Sequence, residues 1–270
     1  MAVRLALVPA GSSPLLLAAA LGLVVLFVVL FAWQCRLRNA ALVDVGWAGS
    51  LGLLALLYAA TGTAPPWRRW LLAGTVGAWS TRLVVHLVRD RVLPGVEEGR
   101  YQALRAWLGP RADAWFLPFF LAQAALSLAL SLPFLAVAHH RSAGVAATEV
   151  LGALLALGAV LGESLADRQL ARFKADPTTA GTVCRRGLWA RSRHPNYFFE
   201  WLVWCGFALL ATSAPGGGWA WLAPALLFVL VRWVTGVPPT ERRALRSRGE
   251  AYRRYQLEVP ALVPWPWGAR

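Results

Sequence analysis

Between Cys184 and Trp204 the chain reads CRRGLWARSRHPNYFFEWLVW, in which Arg185, Arg186, Arg191 and Arg193 lead into a His194-Pro195-Asn196 turn and then an apolar segment. Pro195 has a fixed φ and no N–H, which suits the first turn of a helix running on through Phe198 and Trp204. Unpaired backbone N–H groups, a positive helix end and guanidinium forks are thereby gathered in one place. Such a place attracts phosphate or carboxylate. The same arginines also fit a plainer role as cytoplasmic anchors of a membrane helix, because loop cations set topology.

The elements that must carry this turn are membrane helices. Of the 270 residues, 58% are hydrophobic and only 15% charged, and the mean hydropathy is +0.52. That composition specifies a polytopic membrane protein, and the span-length apolar runs described next make the expected fold all-α. A net charge of +14 would suit nucleic acid, but the cations sit in short segments between apolar runs and not on one soluble face. Nucleic-acid binding is therefore not expected. Cys35, Cys184 and Cys205 are widely separated and form no CxxC pair, so neither a disulfide framework nor a zinc site is indicated.

Apolar runs predict seven spans: 15–33, 42–60, 70–88, 115–138, 145–165, 198–212 and 219–234. The first ends in Gln34-Cys35-Arg36-Leu37-Arg38 with no small-residue cleavage site, and Arg4 alone gives it a thin positive flank, so it reads as a permanent span and not a signal peptide. Loop cations then set the orientation. Arg36 and Arg38, the group from Arg89 to Arg111, the group from Arg168 to Arg193, and the tail group from Arg242 to Arg270 all fall on one side, 21 of 27 in total. Arg4, Arg68, Arg69 and Arg141 fall on the other. The amino terminus is expected outside and the carboxyl terminus in the cytoplasm, in the cell (inner) membrane. Trp33, Trp70, Trp115, Trp201 and Trp233 stand at span ends, as an interfacial belt requires. Pro118 and Pro133 predict a kink or local break in the fourth span.

With that orientation Asp44, Arg82, His86, Glu163, Glu200 and Arg232 all fall in the cytoplasmic half of the bilayer, although they come from five different spans. A charge inside a span is costly unless it is paired or wet, so each reads either as a snorkelling residue near a span end or as part of a site. Glu149, near the outer end of the fifth span with no cation close in sequence, reads as interfacial. In the loops, Tyr101, Leu104 and Leu108 lie at helical spacing and predict a short surface helix. Asp167 to Phe173 continues the fifth span as a polar helix until Asp176-Pro177 breaks it. The tail reads as a basic helix with Thr240 as N-cap and Glu241 in its first turn, either laid on the lipid surface or lining a site, and Pro260, Pro264 and Pro266 end it.

Taken together, Asp44-Val45-Gly46-Trp47, Arg100-Tyr101, Glu163 with Asp167, Gly187-Leu188-Trp189 running into Arg193-His194-Pro195-Asn196-Tyr197 and Glu200, and Gly249-Glu250-Ala251-Tyr252 before Pro260 resemble the steroid 5-alpha-reductase superfamily. The likeness is closest to its bacterial subgroup. It runs from Asp44 onward and is strongest over 163–270, within what is expected to be a single integral membrane domain over 1–270. The resemblance implies a seven-span bundle that binds NADPH from the cytoplasmic side and passes hydride to a carbonyl-conjugated C=C bond of a steroid-like or other hydrophobic lipid.

By position, the resemblance puts Asn196 and Glu200 near the nicotinamide, Asp167 and Lys174 on the ribose or phosphate side, and Glu241 in the wall of the same pocket. Arg185, Arg186 and Arg193 would then hold phosphates, and Glu163, His194, Tyr197, Arg232 and Tyr252 complete the candidate cofactor residues. No GxGxxG turn follows a strand, so the cofactor site is not of the Rossmann kind. Reductases of this superfamily polarise the substrate carbonyl with a Glu in span two and a Tyr in span three. Here span two offers Asp44, and span three carries Arg82 and His86 but no Tyr. Asp44 or His86 is therefore expected to supply the proton or hydrogen bond, alongside Glu200 as the third candidate catalytic group. Two other classes remain open from the sequence. One is an S-adenosylmethionine-dependent methyltransferase of the isoprenylcysteine carboxyl type, with His194, Pro195 and Glu241 on the cofactor; the other is a non-enzymatic lipid-binding or transport protein.

Overall fold

The computed structural model describes Pro9 and residues 11–264 of the protein. Arg4, Pro266 and Arg270, used above for loop charge and chain ends, lie outside the described residues. Among the described residues all regular structure is helical. The main helices are α1 (Ser13–Leu37), α2 (Leu42–Thr61), α3 (Pro66–Leu87), α4 (Gly99–Leu108), α5 (Ala112–Ala138), α6 (Ala147–Ala175), α7 (Pro195–Ala211), α8 (Leu222–Val229) and α9 (Val237–Glu258). Among the described residues six helical stretches are long and apolar enough to cross a membrane: Ser13–Leu37, Leu42–Thr61, Pro66–Val92, Gly99–Ala138, Ala147–Ala175 and Gly217–Glu258. The remaining expected span, 198–212, is α7, whose 17 residues fall short of the ~20 that a span usually needs.

By Cα packing the chain divides into two compact units, Met1–Ala153 with Leu209–Ala220, and Leu154–Ala208 with Trp221–Arg270. In the first, α2 packs on α1, α3 and α5. Hydrophobicity does not draw helices together in lipid, so close approach and interhelical hydrogen bonds must do so. Gly46 lets α1 and α2 meet, since a Cβ there would stand 2.3 Å from Leu30 Cδ1. Gly52 does the same for α2 and α3, where Ser80 Oγ donates to Ala48 O at 2.8 Å. Ser50 donates to Ser127 at 3.0 Å and Tyr58 pairs with Ser131 at 3.0 Å, tying α2 to α5. Leu17, Leu21, Val25 and Val29 point outward from α1, the face a lipid-bathed helix presents.

Several expectations are corrected here. Glu149 is not a solitary interfacial acid: it is fully buried and paired with Arg68, itself buried. Arg68 also donates to the carbonyls of His140 (2.7 Å), Ser142 (2.5 Å) and Gly144 (2.8 Å), while Glu149 accepts from Ser213 (3.0 Å) and from Ala146 N–H (2.9 Å). The partners lie many residues apart, which is why sequence spacing concealed them. Arg68 and Arg69 lie inside α3 and not in a loop, and Arg69 donates to Ala59 O at 3.1 Å at the end of α2. Of the kink or local break expected at Pro118 and Pro133, the break is not found, since both lie within one helix, α5. Thr240 is not the N-cap of α9; the helix starts at Val237, with Pro238 and Pro239 in its first turn, where a missing N–H costs nothing.

Candidate functional site

The second unit builds the arginine-rich turn of the sequence onto two helices. Glu163 and Asp167, four residues apart on α6, share one face of it. Thr179 Oγ1 donates to Phe173 O at 2.6 Å, and Asp176 accepts from Thr178 N–H at 3.0 Å, so the break after α6 is a closed turn with its polar groups satisfied. The chain then returns along α6. Gly187 has φ +60°, and any Cβ there would strike Gln169. Leu188 N–H donates to Gln169 Oε1 at 2.9 Å, and Trp189 Nε1 to Ala166 O at 2.9 Å, which clamps the returning segment in register.

Pro195 then opens α7, as its missing N–H favours. Asn196 Nδ2 donates to Asp167 Oδ1 at 3.3 Å, and Tyr197 stacks on His194 with ring centroids 5.3 Å apart. One turn on, Glu200 accepts from Trp204 Nε1 at 3.0 Å. α9 closes the arrangement. Glu241 Oε1 accepts from Arg193 Nε at 2.6 Å and lies 3.1 Å from His194 Nε2, while its Oε2 accepts from Gln256 at 2.7 Å. Arg193 also donates to Gln256 O at 2.9 Å and to Val259 O, the carbonyls at the negative end of α9. Tyr255 donates to Trp189 O at 2.5 Å, and Ser192 to Leu262 O at 2.7 Å. Burial pushes the His194 imidazole below its ordinary value; the charges of Arg193 and Arg232 act the same way, and the Glu241 carboxylate opposes them.

The arginines of the turn therefore divide. Arg193 is committed to Glu241 and the α9 carbonyls, and Arg185 pairs with Glu258. Arg186 instead lines a cleft of ≈ 270 Å³ together with Gln169, Arg172, Phe173, Asp176, Thr179, Cys184 and Gly187, so one carboxylate shares the cleft with the two guanidiniums. That volume lies below the usual size of a whole small-molecule pocket, so it suits one phosphate-bearing part of a ligand. Arg172, read in the sequence only as a topology cation, is thus a second guanidinium on the same cleft. Burial pushes the Cys184 thiol up, against the pull of Arg186, which keeps it a neutral part of the floor. Lys174 is exposed, and Arg232 lies over the Trp233 ring at 5.6 Å. Tyr252, on α9 itself, is buried with Ala244, Tyr255 and Val259.

Asp44 and His86 belong to the first unit. The Asp44 carboxylate is held by three donors: Arg91 Nη1 at 2.8 Å, Arg100 Nη2, and the Tyr101 hydroxyl at 3.0 Å on the other oxygen. Glu98 bridges the same two arginines, each at 3.0 Å. Tyr101 is the residue that sequence reasoning missed. Its helical spacing with Leu104 and Leu108 gave it a packing role, and its ring is indeed buried against Phe116 and Phe119. Its hydroxyl nonetheless meets an acid 57 positions earlier, a pairing that no local pattern announces.

Residues 30–259 match the family model described as "Protein of unknown function (DUF1295)". The chain belongs to that family. The family in turn belongs to the steroid 5-alpha-reductase-like superfamily, in accord with the resemblance carried by the His194-Pro195-Asn196 turn. No curated protein and no solved structure matches the chain.

Proposed function

We propose that the protein is a membrane reductase that binds NADPH at the α6–α7 turn and reduces a carbonyl-conjugated C=C bond in a hydrophobic lipid. The observation that carries this reading is Asn196, fixed by Asp167 at the start of α7, on a segment that also brings Arg186 to the small cleft where α6 and the turn after it supply Arg172 and Asp176. An amide and a carboxylate suit a carboxamide and a ribose, and paired guanidiniums suit phosphate. The residues present therefore fit such a group.

When bound, the dihydronicotinamide supplies hydride. Asn196, Asp167 and Glu200 orient it, with Glu163 behind them on the same face of α6. Arg186 and Arg172 neutralise phosphate. Arg193, His194, Glu241 and Tyr252 act through the turn, bracing it against α9. Reduction of an enone also needs a proton or hydrogen-bond donor for the developing enolate oxygen. Asp44 or His86 is kept as the proposed source of it.

Fluorescence titration of NADPH into purified protein tests the cofactor assignment. Asn196→Ala and Arg186→Gln/Arg172→Gln should each weaken binding by about ten-fold or more, the loss of one or two charge-assisted contacts. Unchanged binding in all of them would refute it.

A further inference from the structure

The basic tail has a second face that the site does not use. α9 is two short amphipathic segments joined at Gly249, whose φ of 51° and ψ of −125° are not helical. In the first segment Ala244 and Val237 are buried, Leu245 is half-buried, and Glu241 is turned inward to Arg193, His194 and Gln256. Arg242, Arg243 and Arg246 stand exposed on the opposite side, within about 100° of arc at helical spacing. No carboxylate of that segment shares their face, so their charge is uncompensated there. In the second segment Tyr252 and Tyr255 are buried, while Arg253, Arg254 and Leu257 face outward, Leu257 at 84% exposure.

The start of α9 also has a defined neighbourhood. Trp233 and Val234, just before it, are 57% and 56% exposed. An exposed tryptophan at the end of an apolar helix is the residue that settles at headgroup level. At Gly236 a Cβ would lie 2.7 Å from Val231 O, so the chain turns tightly there and α9 packs back on the Leu230–Val234 turn. The arginine face therefore begins at the height of lipid phosphates.

We infer that the outward face of α9, centred on Arg242, Arg243 and Arg246, docks on anionic phospholipid headgroups of the bilayer in which the protein sits. Charge complementarity selects the occupant. Three unpaired guanidiniums next to an interfacial tryptophan, with an exposed leucine farther along, match a negatively charged lipid surface better than a zwitterionic one. Each basic residue near such a surface is worth about a five-fold gain in association, so three give roughly a hundred-fold. The attraction is screened over about 8 Å at physiological salt. This inference does not rest on the reductase reading, since none of the three arginines is assigned to the site.

The experiment uses full-length delipidated protein in detergent, titrated with phosphatidylglycerol and with phosphatidylcholine, counting bound lipid by native mass spectrometry. The wild type should prefer phosphatidylglycerol at least ten-fold. R242Q/R243Q/R246Q should lose most of that preference, and R242K/R243K/R246K should keep it, because a charged surface and not a bidentate fork is recognised. An unchanged preference in the glutamine variant, or its loss in the lysine variant, would overturn the inference. Should the glutamine variant not fold, the wild type alone decides: high salt must abolish the preference, and salt-insensitive binding overturns it. Displacement of bound phosphatidylglycerol by polyglutamate at equal charge concentration would also overturn it, in favour of an acidic protein partner.

Discussion

Tyr101 shows how one hydroxyl finds its partner in a distant part of the chain. A buried phenol needs a partner for its O–H, and Asp44 provides it at 3.0 Å while Arg91 and Arg100 hold that carboxylate in place. Tyr101→Phe removes one of the donors to Asp44 and should destabilise the first unit by about 1–3 kcal/mol, the scale of a hydrogen bond to a charged group. Thermal unfolding of the variant would check this; an unaltered Tm excludes it. Asp44 was legible as a candidate because a carboxylate inside an apolar run is costly. Its donors were not legible, because three of them come from the loop and helix after α3 and only folding brings them together. The same holds for Glu149, whose charge stood out in the sequence and whose partner Arg68 lies 81 residues away.

At the scale of elements, the periodic features were the readable ones. The surface helix α4, the polar extension of α6, the break at Asp176 and the helical tail follow from spacing, proline and charge. What spacing could not show is that α9 clamps the turn before α7. Arg193 looked like a phosphate ligand because a guanidinium in sequence carries no sign of what it will bond; in the fold it holds Glu241 and the C-terminal carbonyls of α9. Glu241→Ala leaves Arg193 without its carboxylate and should destabilise the docked tail by about 3 kcal/mol, the scale for breaking a buried ion pair. Faster tryptic release of the tail would register it, and wild-type cleavage rates would argue against the clamp.

The clamp should also respond to pH. His194 in the fold titrates below its ordinary value near 6.5, so the undocked chain takes up a proton more readily than the docked one. Docking is therefore strongest above about pH 6.5 and weakens as pH falls below it. Tail protection measured from about pH 8 down to about pH 5.5 should decline over the lower part of that range. A flat profile would contradict the assignment.

For the whole molecule, composition pointed to a polytopic membrane protein, and apolar runs of about twenty residues pointed to helical spans. Six of the expected spans meet the length and hydropathy of a crossing helix, and α7 is the short one. In the first unit, Arg68 and Glu149 join α3, α6 and the segment bearing Ser213 through one dry ion pair. Glu149→Ala should cost about 3–5 kcal/mol by stranding the arginine, whereas replacing both partners with apolar residues of similar volume should restore much of the stability. Thermal unfolding of the single and double variants separates these outcomes, and a harmless single substitution would mean that the pair is not buried.

The most direct measurement for the reductase reading is the thermal stability of the purified protein titrated separately with NADPH and S-adenosylmethionine, because a ligand that binds only the native state raises its melting temperature. NADPH should raise the Tm in a saturable, concentration-dependent way, and S-adenosylmethionine should leave it unchanged. Stabilisation by S-adenosylmethionine without any by NADPH would contradict the reductase and point to methyl transfer.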